Sequence, residues 1–381
     1  MAASSAAESK DRVINLDHGD PTAYESFWRE SGEGAYLKIE GWENMSYFSD
    51  RNNLCWFLLP VFETEIRRIH RIVGNATADE SRHIVIGNGS SQLFQAALFA
   101  LSTQPGLTGT SGPMPVVSAA PYYSGYPAAA DFLKSTLYKW GGDANTFTPH
   151  PSTPHNEAIC SPNNPDGRLN NPVLLNQNSN NIHDLAYYWP QYTPITKAAD
   201  HDIMLFTISK CTGHAGCRLG WALVKDADLA RRMVKFVELG TIGVSKDSQH
   251  RAAAILRAVS NGYESGGACK LFHFGRKMMA ERWERVREVV KAKGAFGLLE
   301  YPPPSYCGFL REEATHLPAF AWLKYEGNQD IEDIASYLKT EHSIEARGGR
   351  NFGTTDKYVR ISLLERQKTF DVFIERLSSI S

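Results

Sequence analysis

The segment 207–220 combines the residue types that bind an aldehyde and a phosphate. It places Lys210 at the end of a short apolar run, and Arg218 follows eight positions later. A lysine at the mouth of a buried strand loses solvation and can form a Schiff base with an aldehyde. Gly213 and Gly216 permit a tight turn, whose exposed amides can hold a phosphate dianion together with nearby hydroxyls and Arg218. Aldehyde and phosphate together indicate pyridoxal phosphate (PLP).

A second phosphate-binding pattern lies between a predicted strand and a predicted helix. Gly89 closes a Gly-Asn-Gly turn and is followed by Ser90 and Ser91. At such a helix start, free N–H groups and the positive end of the helix dipole suit a phosphate. Taken alone, the same residues are also typical of an ordinary glycine turn with a serine N-cap.

Three further segments offer groups for a pyridine ring. Tyr123 follows a strand and has an aromatic face for stacking, although tyrosines of this kind also serve packing, and Asn164 lies in the turn 161–167. Asp184 ends an apolar strand, with Tyr187 three positions later. A carboxylate beside the pyridine nitrogen keeps that nitrogen protonated, and a protonated ring is the electron sink of PLP chemistry. Asp184 alone is equally compatible with a capping role.

The order of these residues makes the pattern stronger than its parts. In chain order, and each beyond a predicted strand, come Gly89, Tyr123, Asn164, Asp184, Lys210 and Arg218. Ligands of open α/β sheets bind outside the carboxyl ends of the strands. We therefore expect these side chains to meet at one edge of one sheet.

Alternating apolar runs and helical patterns predict the sheet that positions these residues. The predicted strands are 83–86, 115–119, 137–140, 158–160, 182–186, 203–208 and 221–224. A helical stripe runs through 93–101 and is stopped by Pro105, and the Asn-rich segment 170–181 predicts a surface loop. The alternation predicts an α/β fold with a mostly parallel central sheet.

The last part of the chain predicts a second, smaller α+β domain. After a long helix from about Glu281 and a break at three prolines, the pattern is strand-like at 320–324, helical at 331–341, strand-like at 358–363 and helical from Lys368. The predicted divisions are a disordered tail at 1–12, an N-terminal segment joining the small domain at 13–48, a large PLP-binding domain at 49–275 and a C-terminal small domain at 276–381.

Composition narrows the classes of protein. The 381 residues carry a formal net charge of −2, which gives no support to binding of nucleic acid or of anionic membranes. The apolar stretches fall well short of the ~20 residues that span a bilayer. The six cysteines are scattered without metal-ligand spacing, so we expect reduced thiols and no bound metal. The Ala/Ser-rich start lacks a hydrophobic signal region, and the sequence therefore predicts a cytoplasmic protein.

Five stretches resemble the plant alliinase/tryptophan aminotransferase family of fold-type I PLP enzymes, within the aspartate aminotransferase superfamily. They are 18–22, 161–167, 183–190, 202–218 and 220–226, and the resemblance extends from about Val13 to the C-terminus. It implies a large domain with a central, mostly parallel sheet, a smaller α+β domain and PLP as the cofactor. It also implies small-molecule substrates, an amino acid and a 2-oxo acid.

The resemblance implies roles for the matching residues around the ring. Lys210 would carry the cofactor and act as the catalytic base, and Asp184 would pair with the pyridinium nitrogen. Asn164 and Tyr187 would hydrogen-bond the ring oxygen, and Tyr123 would stack on the ring. Lys210, Asp184 and Tyr187 are therefore the candidate catalytic residues.

Further matching residues would hold the phosphate and the substrate. The residues expected at the phosphate are Gly89, Ser90, Ser91, Thr207 and Arg218. Arg360 would clamp the substrate α-carboxylate through a bidentate pair. Tyr47 matches the tyrosine that reaches the phosphate of the neighbouring subunit, which implies a homodimer with shared active sites.

The resembling family contains two chemistries that use the same lysine, aspartate and arginine. Aminotransferases move an amino group to a keto acid, whereas alliinases eliminate a sulfenic acid from S-alkyl-cysteine sulfoxides. Alliinases carry a cysteine-rich module and a secretory signal, and neither precedes the matching region here. We therefore expect conversion of L-tryptophan and pyruvate into indole-3-pyruvate and L-alanine, the first step of auxin biosynthesis through indole-3-pyruvate. A non-catalytic PLP-fold protein is a further alternative, although it would be expected to lose Lys210 or Asp184.

Two groups of residues have more than one interpretation. One group either walls an indole pocket or packs the small domain and a dimer interface, and packing is expected for most of its members. This group consists of Trp28, Tyr36, Trp42, Tyr47, Phe48, Trp56 and Phe57. In a glycine-rich segment, Arg347 and Arg350 either meet a second carboxylate or lie on a solvated loop. For both arginines we expect the solvated loop.

Overall fold

The computed structural model of the chain describes residues 12–105, 112–148, 153–174, 179–267 and 269–380. Apart from Arg12, the tail that we predicted to be disordered lies outside the described residues. The same holds for 175–178 of the predicted polar loop.

Helices and strands alternate through most of the described chain. The helices are α1 (Glu25–Ser31), α2 (Pro60–Val73), α3 (Ser90–Ser102), α4 (Gly125–Asp131), α5 (Ile208–Cys211), α6 (Ala227–Thr241), α7 (Lys246–Glu264), α8 (Leu271–Lys293), α9 (Ile334–His342) and α10 (Gln367–Leu377). The strands are β1 (Ile14–Asn15), β2 (His83–Gly87), β3 (Met114–Ser118), β4 (Tyr138–Asp143), β5 (His155–Cys160), β6 (Ser179–Asp184), β7 (Ile203–Thr207), β8 (Gly220–Val224), β9 (Phe296–Leu298), β10 (Ser305–Cys307), β11 (Glu312–Ala314), β12 (Phe320–Tyr325), β13 (Ile344–Glu345), β14 (Arg347–Gly348) and β15 (Tyr358–Ser362).

The large sheet has the strand order β2-β8-β7-β6-β5-β3-β4. Strand β8 runs antiparallel to both of its neighbours, and the other neighbouring pairs are parallel. Each of these strands overlaps a predicted apolar run, but β5 and β6 begin three residues before the predicted starts. Residues 179–181, which we predicted to be part of a surface loop, belong instead to β6, because their backbone pairs with β5. The predicted α/β fold with a mostly parallel central sheet is therefore confirmed.

The carboxyl ends of β2 and β7 lie at the same edge of the sheet, because both strands run antiparallel to β8 between them. Gly87 and Thr207, at those ends, both pair with Gly220 at the start of β8. A Cβ on Gly220 would lie 2.7 Å from the backbone nitrogen of Ser90, so only glycine lets the turn after β2 approach β8 this closely. The segments that follow β2 and β7 and the one that precedes β8 consequently converge.

The small sheet is antiparallel and has the strand order β14-β15-β12-β9. The strands and helices predicted in the last part of the chain are confirmed as β12, α9, β15 and α10, with shifted ends. Near this sheet, β1 pairs in parallel with β13, and Ile14 lies opposite Ile344. This pairing brings the N-terminal segment to the C-terminal part of the molecule.

The long helix that we predicted from about Glu281 begins at Leu271, ten residues earlier (281 − 271). The aromatic residues and histidine of its first turn have modest helix propensity, which is why the sequence did not indicate a helix there. Leu271 and Phe272 are fully buried, and packing of a buried face outweighs propensity. The predicted boundary at 275 and 276 lies within this helix, and the division into domains stays a prediction.

The core of the molecule lies between the large sheet and its flanking helices. Strands β7 and β8 are buried along their whole length, and Trp189 and Trp221 are fully buried. In the described ranges, no helix combines the length and the apolar character needed to cross a membrane.

Candidate active site

A cavity of about 280 Å³ lies at the sheet edge where these strands end. Its walls come from the large sheet, from the small sheet and from the segment after β1. The predicted site residues that line it are Ser90, Ser91, Tyr123, Asn164, Asp184, Tyr187, Thr207, Lys210 and Arg360. A larger cavity, about 820 Å³, lies at the opposite ends of β6 and β7 and is lined by none of the predicted site residues.

Lys210 lies in α5, immediately after β7, where the Thr207 side chain caps the short helix. Its ammonium group donates a hydrogen bond to the Gly19 carbonyl and lies 5.7 Å from the centre of the Tyr187 ring. Burial, and then the positive charge of Arg360, lower the pKa of Lys210 to about 8. The side chain therefore has a sizeable neutral, nucleophilic fraction at mildly alkaline pH.

Asp184 is held by hydrogen bonds at the end of β6. The Tyr126 hydroxyl donates to Oδ2 at 2.9 Å, and the Ala186 amide donates to Oδ1 at 3.2 Å. Burial raises the pKa of Asp184, while the Tyr126 bond, the Ala186 bond and the charge of Lys210 act in the opposite direction. A cation beside this carboxylate, such as a pyridinium nitrogen, would favour its charged form further.

Arg360 lies on β15 and is only 2% exposed. It donates to Asn164 Oδ1 at 2.9 Å and to the Asp17 carbonyl, and its guanidinium carbon lies 4.3 Å from the centre of the Phe320 ring. Its Nε has no hydrogen-bond partner, and no carboxylate side chain in the described part of the chain forms an ion pair with it. Burial lowers the pKa of Arg360 to about 10. A buried guanidinium without a counterion is a ready site for a ligand carboxylate.

The start of α3 and Arg218 form a cradle for an anion. Gly89, at the N-cap, has φ of +83° and provides no side-chain cap, so the first-turn amides of α3 remain available. A Cβ at Gly89 would lie 2.8 Å from Nη2 of Arg218. Ser90 and Ser91 add hydroxyls beside the same turn. A phosphate dianion fits this combination of helix start, hydroxyls and guanidinium.

These groups together fit PLP. Lys210 matches the aldehyde, the Asp184 carboxylate matches the ring nitrogen, and the Tyr123 ring forms a wall of the cavity. Asn164 accepts from Arg360 through Oδ1, which leaves its Nδ2 as the atom that can donate to a ring oxygen. Apart from Tyr47, the predicted residues therefore converge on a site of the right composition, and their individual roles stay predictions.

Tyr47 does not belong to this cavity. Its side chain is 69% exposed, and the proposed contact with a neighbouring subunit stays a prediction. None of the other aromatic residues that we considered in the N-terminal segment lines the cavity either. The aromatic rings that do line it are Tyr123, Tyr187 and Phe320.

The structure corrects one expectation and adds residues that the sequence did not indicate. Arg347, expected on a solvated loop, lies in the cavity wall and is bound to Asp17, because β14 pairs with β15 beside Arg360. Arg350 does lie outside, 81% exposed and 2.5 Å from Asp356. Tyr126 was also missed. It follows Tyr123 by three positions, and the turn that opens α4 brings the two rings into contact, because the Tyr126 amide donates to the Tyr123 carbonyl at 3.0 Å.

Comparisons with known proteins agree with this geometry. A family model described as allinase matches residues 14–381. Tryptophan aminotransferase-related protein 2 of Oryza sativa subsp. japonica is 53% identical over 385 residues, which cover 98% of this chain and 75% of that protein. Alliin lyase of Allium cepa is 34% identical over 357 residues, which cover 93% of this chain and 73% of that protein.

Solved structures of aminotransferases share the fold. A putative kynurenine aminotransferase from Saccharomyces cerevisiae aligns with a TM-score of 0.70 at 13% identity, over 97% of this chain and 92% of its own. A methionine aminotransferase from Escherichia coli aligns with a TM-score of 0.66 at 15% identity, over 97% of this chain and 94% of its own. At these identities the similarity shows the fold alone.

Proposed function

Because the chain belongs to the allinase family, a family of fold-type I enzymes that use PLP, we propose that it is a tryptophan–pyruvate aminotransferase. In this proposal it converts L-tryptophan and pyruvate into indole-3-pyruvate and L-alanine. The observation that carries it is the placement of a buried Arg360, which has no carboxylate partner among the described residues, in the same cavity as Lys210. An amino acid must present its carboxylate and its Cα to two such groups at once.

In this proposal, each polar residue of the cavity has a separate role in the reaction. PLP, when bound, supplies the electron sink that stabilises negative charge at the substrate Cα. Lys210 holds the cofactor and then takes the Cα proton, for which a pKa near 8 is well suited. Asp184 keeps a negative charge beside the ring nitrogen, and Tyr126 keeps that carboxylate in place. Arg360 orients the substrate carboxylate, so that the Cα–H bond faces Lys210.

The choice of tryptophan rests on the relatives and on the character of the cavity. The ring of Phe320 lines the cavity beside Arg360, where the substrate carboxylate would bind, and offers apolar surface to an indole. Rice and Arabidopsis relatives at 53% and 49% identity are named tryptophan aminotransferase-related proteins. Indole-3-pyruvate made in this way would enter auxin biosynthesis, and we place this step in the cytoplasm.

We also propose that the active form is a homodimer. The segment that contains Tyr47 is anchored at the start of α7, because Asn44 donates to Asp247 and Lys246 donates to the Phe48 carbonyl. Large apolar side chains are exposed on this segment and at the nearby end of α6, namely Tyr36, Trp42, Met45, Tyr47, Phe48, Leu239 and Ile242. An exposed apolar patch of this kind typically marks a protein interface.

The test of the reaction is product analysis of the PLP-loaded protein. L-Tryptophan should yield sustained indole-3-pyruvate and alanine only when pyruvate is present. Lys210→Ala is the matched control and should lose both turnover and the covalent, borohydride-reducible attachment of the cofactor. Turnover retained in that variant would contradict the assignment of Lys210.

The same experiment separates the second chemistry of the family. Two relatives at 34% identity are named alliin lyase, and for this reason S-alkyl-cysteine sulfoxides are the alternative substrates to test. Release of pyruvate and ammonia from such a sulfoxide, without an added 2-oxo acid, would identify a C–S lyase. Absence of tryptophan turnover combined with that release would replace the proposed reaction and leave the PLP site unchanged.

A further inference from the structure

Two arginines on neighbouring strands of the small sheet lie in the wall of the active-site cavity. Arg347 on β14 and Arg360 on β15 are directly opposite in the antiparallel ladder, and both line the cavity. Like charges at opposite positions of a ladder are only about 5 Å apart at their Cβ atoms and destabilise the pair. A nearby negative charge is needed to offset them.

Asp17 supplies this negative charge, and its carboxylate pairs with only one of the two arginines. Its carboxylate forms a bidentate pair with Arg347, from Oδ1 to Nε at 2.5 Å and from Oδ2 to Nη2 at 2.9 Å. The remaining nitrogen, Nη1, donates to Ser124 Oγ at 3.0 Å. Arg360 donates to the backbone carbonyl of Asp17 and not to its carboxylate. The guanidinium of Arg347 therefore has a carboxylate partner, whereas Arg360 has none among the described residues, and its Nε has no hydrogen-bond partner there.

The burial of the pair strengthens this asymmetry. The side chains of Asp17 and Arg347 are 22% and 29% exposed, so their attraction is less screened than that of a surface pair. Burial by itself would raise the pKa of Asp17, but the hydrogen bond and charge of Arg347 lower it overall. Asp17 thus remains a carboxylate at neutral pH, and the two arginines with this one acid leave a single net positive charge.

We propose that Asp17 is a specificity-determining residue that restricts the site to substrates with one carboxylate. This proposal deepens the aminotransferase function proposed above and names its substrate class. A monocarboxylic amino acid or 2-oxo acid needs one guanidinium without a carboxylate partner, and among the described residues Arg360 meets that condition. A dicarboxylic substrate would bring its second carboxylate to Asp17 and to an arginine that is already paired. The acid therefore discriminates by repulsion as well as by occupying Arg347.

The test compares the binding of unreactive acids to the PLP-loaded protein by titration calorimetry. Glutarate and pentanoate have the same number of carbon atoms and differ by one carboxylate. Asp17→Asn keeps the shape of the side chain but removes its charge, and it should raise the affinity for glutarate relative to pentanoate by about tenfold or more. The wild-type protein should favour pentanoate or show no preference.

Two further variants decide whether Arg347 is the group that is released. In the double variant Asp17→Asn, Arg347→Met, the gain in glutarate binding should disappear. Arg350→Met removes a neighbouring guanidinium that pairs with Asp356 outside the cavity, so it should leave both affinities unchanged. A thermal melt of each variant establishes that it is folded.

The binding results test the role of Asp17 independently of whether the protein turns over tryptophan. If Asp17→Asn binds glutarate no better than the wild type does, or if the gain persists without Arg347, then Asp17 does not set the specificity. If the wild-type protein fails to turn over tryptophan, the proposed reaction is wrong, but the ratio of glutarate to pentanoate affinity still tests the role of Asp17.

Discussion

Tyr126 contacts a candidate catalytic residue directly, although it does not line the cavity. Its hydroxyl is buried and donates a hydrogen bond to Asp184. Its ring packs against Phe94 in a tilted arrangement and contacts the Tyr123 ring edge to face. Burial raises the pKa of Tyr126 well above its usual value, so the hydroxyl stays a donor. Tyr126 is therefore a positioning residue that acts through Asp184.

Tyr126→Phe should weaken the cofactor site without emptying it. Loss of the hydrogen bond leaves burial less opposed, so the pKa of Asp184 rises and its negative charge is less favoured beside the ring nitrogen. We expect the turnover number to fall by about tenfold, in line with the value of one charge-assisted hydrogen bond. The visible absorption spectrum of the loaded protein should shift its pH dependence as well. An unchanged spectrum and turnover number would mean that Tyr126 serves packing only.

The pKa of Lys210 gives a second prediction at this scale. Burial disfavours the charged amine, so its pKa lies near 8 and the neutral form dominates above that pH. Covalent incorporation of PLP into the cofactor-free protein should accelerate about tenfold per pH unit below pH 8 and level off above it. Arg360→Met removes a cation that lowers this pKa, and it should move the midpoint to higher pH. Stopped-flow absorbance measures both profiles.

Residue types could be predicted where a local motif carries them. Asp184 is the last residue of β6, and Lys210 and the serines of α3 follow closely after β7 and β2, where a parallel sheet brings its carboxyl ends together. Asp17 and Arg347 could not be predicted, because the contact joins positions that are 330 residues apart and depends on two-residue strands. Periodicity cannot be read from elements of that length.

At the scale of elements, a buried polar network ties α2 to the loop after β6 and to β8. His70 on α2 bonds Asn75 Oδ1 through Nδ1 at 2.7 Å and accepts from Trp221 Nε1 through Nε2 at 2.9 Å. Trp can only donate, so the network fixes the neutral imidazole with its proton on Nδ1. Asn75 then donates to the Tyr188 carbonyl at 2.7 Å, four residues after Asp184.

This network predicts a loss of stability in mild acid. Burial lowers the pKa of His70 to about 4, below its ordinary value of 6.5. Between these values the unfolded chain binds more protons, so stability falls as the pH decreases through that window. From pH 7 to pH 5 the contribution of His70 is roughly 2 kcal/mol. Urea unfolding should show His70→Gln losing less stability than the wild type over this range, and equal losses would contradict the prediction.

Elements were predicted best where the apolar pattern alone decides them. Strands β7 and β8 of the large sheet are short apolar runs that are buried on both faces. The first turns of α8 were missed, since Leu271 and Phe272 are helical because of what they pack against. The short strands β9, β10 and β11 were missed for a similar reason, because three residues show no clear alternation.

At the scale of the whole molecule, the N-terminal segment takes part in two different surfaces. Near its start, β1 joins β13 and brings Asp17 to the cavity of the same chain. Further along, Tyr47 lies exposed on the apolar patch, away from that cavity. A single chain thus completes the carboxylate side of its own site, and its exposed tyrosine is available to a second copy.

Subunit mixing tests whether Tyr47 completes the partner's phosphate site. Tyr47→Phe should weaken PLP binding by about tenfold, because it removes one hydrogen bond to a dianion. Lys210→Ala chains keep Tyr47 but cannot attach the cofactor covalently, so trapped PLP reports only the other chain. In hybrids formed with excess Lys210→Ala chains, Tyr47→Phe chains should recover wild-type affinity, since the partner then supplies the hydroxyl. Excess Tyr47→Phe, Lys210→Ala chains are the matched control and should restore nothing. Recovery with neither partner would mean that Tyr47 does not reach the phosphate site of the partner. Unchanged PLP affinity of the Tyr47→Phe homodimer would place Tyr47 outside the active site of both subunits.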